Sequence, residues 1–328
     1  MMKIAVCVML VMCMAGLVIY ATAAAVHVKP SPHHLVVAVR TAQSETVPRL
    51  RVLTLNTFLR PAPVNHHGMH GDAKWQRLIP LVARILLPHD VLALQEVWAY
   101  RKPLMSMLRS AGFVHIVLPQ PAARGAVIDS GLVIASRFPI THVRRILFRD
   151  RGCKAAGPDR YAAKGVMYAA ITAPNDKQYH VFNTHMQATY TREPSPFEAA
   201  TLRCQLDVLM QFVAEVIHPL SAASPIIVAG DLNMPPVEWV RATMQASGFR
   251  DVLAADATPT IHIVYGADGR ELSTVTRMCA KCAALYAGYT PVTVRVDHMW
   301  VQHVNVHAAH VVPTHGVSDH DGLFAEVH

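Results

Sequence analysis

The stretch PIIVAGDLN, residues 225–233, decides the fold of this chain, because it joins a short unbroken apolar run to a polar ending. An apolar run of this length between turn residues is typical of a strand buried on both faces. Five further apolar runs finish in, or carry near one end, an acid, an amide or a histidine. They are LTLNTF, LALQEV, VFNTH, VRVDHMW and GVSDHDG.

The polar side chains at these strand ends form one ordered set of candidate site residues. Each has an ordinary structural explanation when taken alone, since an Asp after a strand commonly caps a turn or a helix. The complete set is much harder to produce by chance, and hard oxygen ligands at the mouth of a sheet suit Mg²⁺ and phosphate. Its members are Asn56, Glu96, His185, Asp231, Asn233, Asp297, Asp319 and His320.

The rest of the pattern predicts an α/β protein in which two packed sheets are flanked by helices within one domain. Helices are expected from Asp72 to about Leu87, near 98–111, from about Phe197 to Ile217, and near 237–246. We expect VTVRVDHMWV, residues 292–301, to form one strand, and the stretch 250–290 to be irregular.

Composition excludes a disordered chain but does not distinguish a lipid substrate from a nucleic-acid substrate. The 328 residues are 52% hydrophobic and 16% charged, whereas disorder requires low hydrophobicity with high net charge. The formal charge of +8 suits lipid phosphates and nucleic-acid phosphates equally well.

Residues 1–25 are expected to be a signal peptide, and the protein is therefore expected to be secreted. Lys3 is followed by an apolar run to Ile19 and by small residues that allow cleavage after Ala23 or Ala25. The alternative is an uncleaved anchor. Residues 26–48 are expected to form a polar lead-in segment, and residues 49–328 a single catalytic domain.

Four cysteines remain once the leader is removed, and they allow three pairings. The close pair Cys279 and Cys282 resembles half of a zinc or redox site. In an exported protein a small loop disulfide is the favoured interpretation of that pair. The other two are Cys153 and Cys204.

The order NTF, LALQEV, NTH, GDLN and SDH resembles the endonuclease/exonuclease/phosphatase superfamily from about Arg51 to Val327. Within that superfamily the chain is most similar to the neutral sphingomyelinases of phospholipase C type. The narrower resemblance is carried by DSGLVIASRFPI at 129–140, by the segment from Asp159 to Gly165, and by NTHMQA with the later RCQLDVL. It implies a deoxyribonuclease-I-like fold, a four-layer sandwich of two mixed sheets flanked by helices.

The resemblance implies Mg²⁺-dependent hydrolysis of a phosphodiester by in-line attack of water. Glu96 would be the main Mg²⁺ ligand, with Asn56 beside it and Asp319 as an outer ligand. His320 would take the proton of the attacking water, and Asp297 would hold the imidazole in the required tautomer.

The remaining candidate residues are implied to handle the phosphate. Asp231 and Asn233 would orient the water, the phosphate or a second ion, and His185 would donate to a non-bridging oxygen. Asp159 and Lys164 are implied to belong to a loop beside the active site, although a solvated acid and base would show the same spacing.

The leading prediction is a secreted neutral-type sphingomyelinase that cleaves sphingomyelin to ceramide and phosphocholine as a peripheral membrane protein and, by assumption, a monomer. The alternatives are a secreted deoxyribonuclease-I-like endonuclease, which would bind nucleic acid, and a catalytically dead membrane-binding protein. Residues 301–317 lack the aromatic side chains with which bacterial sphingomyelinases enter membranes. Substitutes are sought in the Tyr286 and Tyr289 loop and in the arginines at 144, 145, 149 and 151, which would otherwise be a solvated strand edge.

Overall fold

The computed structural model describes residues 49–61, 74–122, 125–235, 237–253, 258–265, 271–275 and 292–328. The expected signal peptide, the lead-in segment through residue 48, Asp72, the Cys279 and Cys282 pair, and the Tyr286 and Tyr289 loop lie outside these residues. Among the described residues, no helix has the length and apolar character needed to cross a membrane.

Two six-stranded mixed sheets form the centre of the protein. The first contains, in spatial order, β14 (Val306–Val312), β15 (Gly322–Val327), β1 (Leu50–Leu59), β2 (Val91–Val97), β4 (Val133–Ser136) and β3 (His115–Val117). The second contains β5 (Ile140–Leu147), β6 (Gly165–Thr172), β7 (Gln178–His185), β8 (Ile226–Asp231), β13 (Asp297–Gln302) and β9 (Arg250–Asp251). A separate three-stranded sheet contains β11 (Glu271–Val275), β10 (Ile261–Tyr265) and β12 (Val292–Val294).

The helices cover the outer faces of the two large sheets. The first sheet packs against α1 (Lys74–Pro80), a π-helical segment (Leu81–Leu86) and α2 (Arg101–Ser110). The second sheet packs against α3 (Pro196–Ile217) and α4 (Glu238–Ala246). A third apolar cluster lies between the sheets and includes Val52, Ala93, Val181, Ile227 and Met299. The predicted four-layer α/β sandwich of two mixed sheets flanked by helices is therefore confirmed.

Local sequence signals explain where the long helix α3 begins and where the first helix changes from α-helical to π-helical geometry. The hydroxyl of Ser195 accepts from the backbone N–H of Glu198, whose carboxylate accepts from the Ser195 N–H, a reciprocal capping box. The predicted helix through Leu87 is not uniform, since it becomes π-helical after Pro80. Proline has no backbone N–H, so it interrupts the ordinary helical hydrogen-bond ladder.

Two predictions for the C-terminal third are wrong. VTVRVDHMWV forms two strands in different sheets, because Arg295 between them turns inward and pairs with buried Asp251. The backbone N–H groups of Val296 and Asp297 donate to the Thr260 hydroxyl instead of to a neighbouring strand. The stretch expected to be irregular contains β9, β10 and β11, so strand pairing extends into it.

The topology brings the polar strand ends together. β7 and β8 are parallel and place His185 opposite Asp231, and antiparallel β13 places Asp297 on the other side of Asp231. Gly230 has φ of +146°, and a Cβ there would lie 2.1 Å from the carbonyl oxygen of Thr184. Only glycine allows the strands to approach so closely beside Asp231.

Candidate active site

The two sheets meet at Asp231, which is buried at the end of β8. Its Oδ2 atom accepts from the Asn56 amide of the first sheet at 3.0 Å and lies 3.5 Å from His185 Nε2. The same oxygen is 3.9 Å from His320 Nε2. One carboxylate therefore contacts a side chain from the first sheet, one from the second sheet and one from the C-terminal loop.

His320 is held between two carboxylates. Its Nδ1 lies 2.8 Å from Asp297 Oδ2, and its backbone N–H donates to the hydroxyl of Ser318 at 3.2 Å. Burial acts to lower the pKa of His320, but the charges of Asp297 and Asp231 outweigh burial and raise it well above its usual range. The pair has the geometry of an imidazole whose orientation is fixed by a buried acid.

Burial also raises the pKa values of two acidic side chains in the site, Asp231 and Glu96. It raises the pKa of Asp231 to about 7, with Asp297 adding to the rise while positively charged His320 opposes it. Burial likewise raises the pKa of Glu96, against the attraction of Arg60, whose Nε lies 3.9 Å from Glu96 Oε2. Taking a carboxylate out of water disfavours its charged form unless a cation is near.

Lys164 connects the candidate loop to the site. Its ammonium lies 2.7 Å from Asp159 Oδ2, donates to the carbonyl of Met186 at 2.6 Å, and is 3.1 Å from His185 Nε2. Asp159 also accepts from the N–H of Ala188 at 2.7 Å. The acid and lysine are a buried pair against the site, not a solvated pair on the surface.

The predicted site residues lie in one region of the structure, and each makes its own set of contacts there. Asn233 donates its backbone N–H to Asp231 Oδ1 at 2.8 Å, and its amide donates to Met186 O at 2.9 Å. Glu96 has a φ of 55° near the end of β2, and its charge interacts with those of Asp319 and His320. Asn56 turns its amide toward Asp231 rather than making a hydrogen bond to Glu96.

The donor set fits a hard divalent cation. Within the described part of the chain, the buried Oε2 atom of Glu96 and the buried Oδ1 atom of Asp297 have no hydrogen-bond partner. Ligand atoms of Asp231, Asp297 and His320 lie within 4.8 Å of one another. Buried carboxylate oxygens of this kind are the ligands that Mg²⁺ prefers.

Residues that the sequence analysis did not single out support the site. The amide of Gln95 donates to Asn183 Oδ1 at 2.7 Å, and Asn183 donates to the carbonyls of Leu94 and Val133, which joins the two sheets. The Ser318 hydroxyl donates to the carbonyl of Asn56 at 2.6 Å. All of these residues lie inside the motifs already quoted, so those motifs are the sequence signal that could have found them.

Trp98, directly after LALQEV, forms one wall of the site. Its ring centroid lies 6.4 Å from that of His185, and its indole N–H donates to the carbonyl of Asp129 at 2.9 Å. A groove of about 680 Å³ opens beside it and is lined in part by the exposed or half-exposed side chains of Tyr100, Arg101 and Lys102.

Comparison with known proteins identifies the family. Residues 53–320 match the Endonuclease/Exonuclease/phosphatase family. The chain belongs to this family. Its fold is the deoxyribonuclease-I-like fold that the motif order implied. The proteins similar to this chain include sphingomyelinases, in agreement with the narrower resemblance.

Two curated relatives illustrate the sphingolipid branch. The chain is 28% identical over 200 residues to an inositol phosphosphingolipids phospholipase C from Schizosaccharomyces pombe, covering 59% of this chain and 43% of the relative. It is 28% identical over 214 residues to a putative neutral sphingomyelinase from Caenorhabditis elegans, covering 63% of this chain and 44% of the relative. The matches thus span less than half the length of these relatives.

Solved structures show the same fold. Sphingomyelinase C from Streptomyces griseocarneus aligns with a TM-score of 0.60 at 18% identity, over 85% of this chain and 99% of that one. A mutant beta toxin from Staphylococcus aureus, solved with bound magnesium ions, aligns with a TM-score of 0.62 at 15% identity over the same shares.

Proposed function

We propose that this family member is an exported, Mg²⁺-dependent phosphodiesterase that hydrolyses sphingomyelin to ceramide and phosphocholine. The observation that carries the proposal is the buried arrangement of His320 between Asp297 and Asp231, next to the lysine-supported His185. The sphingolipid-cleaving relatives at modest identity support the substrate class.

The residues of the chain supply proton transfer and positioning. His320, when neutral, takes a proton from the attacking water at Nε2, because Asp297 occupies the Nδ1 side of the ring. The two carboxylates raise the pKa of His320, and a divalent cation held nearby would lower it and so favour the neutral imidazole. Lys164 can only donate, so His185 accepts at Nε2, and the proton of neutral His185 is on Nδ1, which donates to a phosphate oxygen. The backbone N–H of Asn233 donates to Asp231 Oδ1 and so fixes the orientation of that carboxylate in the same pocket.

The metal would be held by Glu96, with Asp319 and Asn56 near it. Magnesium, when bound, supplies positive charge that stabilises the charge developing on the phosphate. Glu96 Oε2 is buried and, among the described residues, accepts no hydrogen bond, although Arg60 lies 3.9 Å away, which supports this placement. The magnesium ions in the structure of the Staphylococcus aureus toxin support the identity of the metal.

Turnover of three substrates by the same preparation tests the proposal. Purified protein with Mg²⁺ is offered sphingomyelin in detergent micelles, lysophosphatidylcholine and plasmid DNA, and a His320→Ala variant serves as the matched control. We expect phosphocholine release from sphingomyelin that is lost in the variant and in excess chelator. Preferential nicking of DNA would instead support the alternative, a secreted endonuclease, and absence of all three activities would support a dead lipid-binding protein.

Export is a separate part of the proposal and rests on the residues at 1–25. N-terminal sequencing of the protein recovered from the medium is expected to begin at Ala24 or Val26. Recovery of the intact leader in the membrane fraction would establish the anchor instead.

A further inference from the structure

Two neighbouring surface segments, one around Ile128 and one around Ala162, each carry a solvent-exposed apolar side chain. Ile128 and Ala162 form a parallel bridge, and the N–H of Val127 donates to the carbonyl of Tyr161 at 2.8 Å. Val127 directly precedes the bridged Ile128, and Tyr161 directly precedes the bridged Ala162, so the two residues lie beside each other at the same end of the bridge. Val127 is 74% exposed and Tyr161 is 47% exposed, and Val127 is the most exposed large hydrophobic residue of the described chain.

Two arginines flank this apolar pair. The guanidinium of Arg160 lies 4.8 Å from the ring centroid of Tyr161 and donates to its hydroxyl at 2.7 Å. Arg149 donates to the carbonyl of Arg160 at 2.8 Å. We call Val127, Tyr161, Arg149 and Arg160 the Val127 patch. Residues 149–164, which contain most of it, carry five cationic side chains and two acidic ones.

The structure separates this patch from the rest of the basic stretch. Arg144 and Arg151 both pair with Glu215 of α3, at 3.4 and 2.8 Å. Arg145 donates to the carbonyl of Leu118. Arg149 instead donates to the carbonyl of Arg160, the residue next to Tyr161.

The Val127 patch belongs to the segment that carries the active-site lysine. Tyr161 lies between Asp159 and Lys164, whose buried pair reaches His185. On the other side, the loop that follows Val127 brings Asp129 against Arg101 and Trp98 at the wall of the site. Two short stretches of backbone, from Val127 to Asp129 and from Asp159 to Lys164, therefore connect the Val127 patch to the site.

We propose that the Val127 patch docks the enzyme on an anionic lipid bilayer, Val127 and Tyr161 entering the interface while Arg149 and Arg160 bind lipid phosphates. The inference rests on the proposed function, because it names the surface by which the site meets its membrane. Basic residues near an anionic bilayer each contribute to binding, and buried apolar area adds to it. Nucleic acid would use the arginines and would gain little from an exposed valine.

Vesicle binding tests the patch without using turnover. Vesicles of phosphatidylcholine, with and without phosphatidylserine and free of sphingomyelin, are sedimented with wild-type protein, Val127→Ser/Tyr161→Ser and Arg149→Gln/Arg160→Gln. We expect each double variant to lose about tenfold in affinity for the phosphatidylserine vesicles. Val114→Ser and Arg241→Gln, at exposed positions outside the patch, are expected to bind as the wild type does.

A soluble phosphodiester, bis(p-nitrophenyl) phosphate, separates docking from catalysis. All four variants are expected to turn it over at the wild-type rate, because none alters a side chain placed in the site. Unchanged vesicle binding by both double variants would overturn the inference. So would loss of plasmid binding by the arginine variant alone with vesicle binding intact, which would assign the patch to nucleic acid. If the wild type failed to cleave sphingomyelin in micelles while the vesicle results held, the proposed function would fail and the docking surface would stand.

Discussion

The ammonium of Lys164 lies 3.1 Å from Nε2 of His185, and this contact joins a buried ion pair to the candidate active site. Burial and the charge of Lys164 hold the pKa of His185 well below its usual range. His185 is therefore neutral at physiological pH, and the lysine fixes which ring nitrogen accepts. Lys164 thereby determines the tautomer of His185, which in turn contacts Asp231.

The first prediction concerns the stability of that ion pair. Lys164→Met leaves Asp159 buried without its cation and should lower the free energy of unfolding by about 3–5 kcal/mol. Asp159→Asn/Lys164→Met removes both charges and should cost less than Lys164→Met alone. Urea unfolding midpoints provide the measurement. A double variant that is less stable than Lys164→Met would contradict the pairing.

The second prediction concerns Glu96. Glu96→Gln keeps the shape of the side chain and removes its charge, so turnover with Mg²⁺ should fall roughly a hundredfold or more, about 3 kcal/mol of transition-state stabilisation. Because burial raises the pKa of Glu96, its ionised form is costly without a cation, and the variant should be at least as stable as the wild type without Mg²⁺. Steady-state rates and urea midpoints are compared with those of the exposed control Glu238→Gln. Wild-type rates in saturating Mg²⁺ would exclude Glu96 as the main ligand.

The third prediction separates the base from the acid that orients it. His320→Ala should lose most activity at pH 7.5, whereas Asp297→Asn should lose less, since it retains the imidazole. Thermal unfolding of both variants is measured alongside turnover to show that the fold is intact. If Asp297→Asn were the less active of the two, the base would have to be sought elsewhere, with His185 the first candidate.

The fourth prediction concerns Cys153 and Cys204, which form a disulfide across 51 residues of sequence. Closing a loop of this length restricts the unfolded chain and stabilises the fold by about 4 kcal/mol in the chain-entropy account. Cys153→Ala/Cys204→Ala should therefore lower the urea midpoint, and a reductant should lower the midpoint of the wild type by more than that of the variant. Equal midpoints for the two proteins would show that the bond contributes nothing.

The strand ends could be predicted from sequence because apolar runs and their polar terminations are local patterns. The strand-end pattern predicts Asp231 and His320 as site residues, and the structure places them in one buried cluster. The link between Gln95 and Asn183 is different, because it depends on how two sheets face each other and spans 88 residues. A pattern within one strand carries no information about such a partner.

The wrong strand assignment has a related cause. The alternation in VTVRVDHMWV continues across Arg295, so periodicity alone predicts one strand. The break depends on Asp251, which attracts the guanidinium from 44 residues away, and on Thr260, which accepts the backbone hydrogen bonds of the turn. Burial of a paired arginine is a tertiary effect that overrides local propensity.

The fifth prediction concerns stability in acid and the buried His89, which is not one of the candidate site residues. Burial lowers the pKa of His89 to about 4, against an ordinary value of 6.5, and its ring lies 5.4 Å from that of Phe324. Below pH 6.5 the unfolded chain binds a proton that the folded chain refuses until about pH 4, so stability falls as pH drops through this window. At pH 4.5 the loss from this residue should be about 2 kcal/mol. Urea midpoints of the wild type and His89→Gln at pH 7 and pH 4.5 should therefore converge as pH falls, while the exposed control His142→Gln should follow the wild type. Parallel curves for the wild type and His89→Gln would mean that His89 does not contribute to acid unfolding.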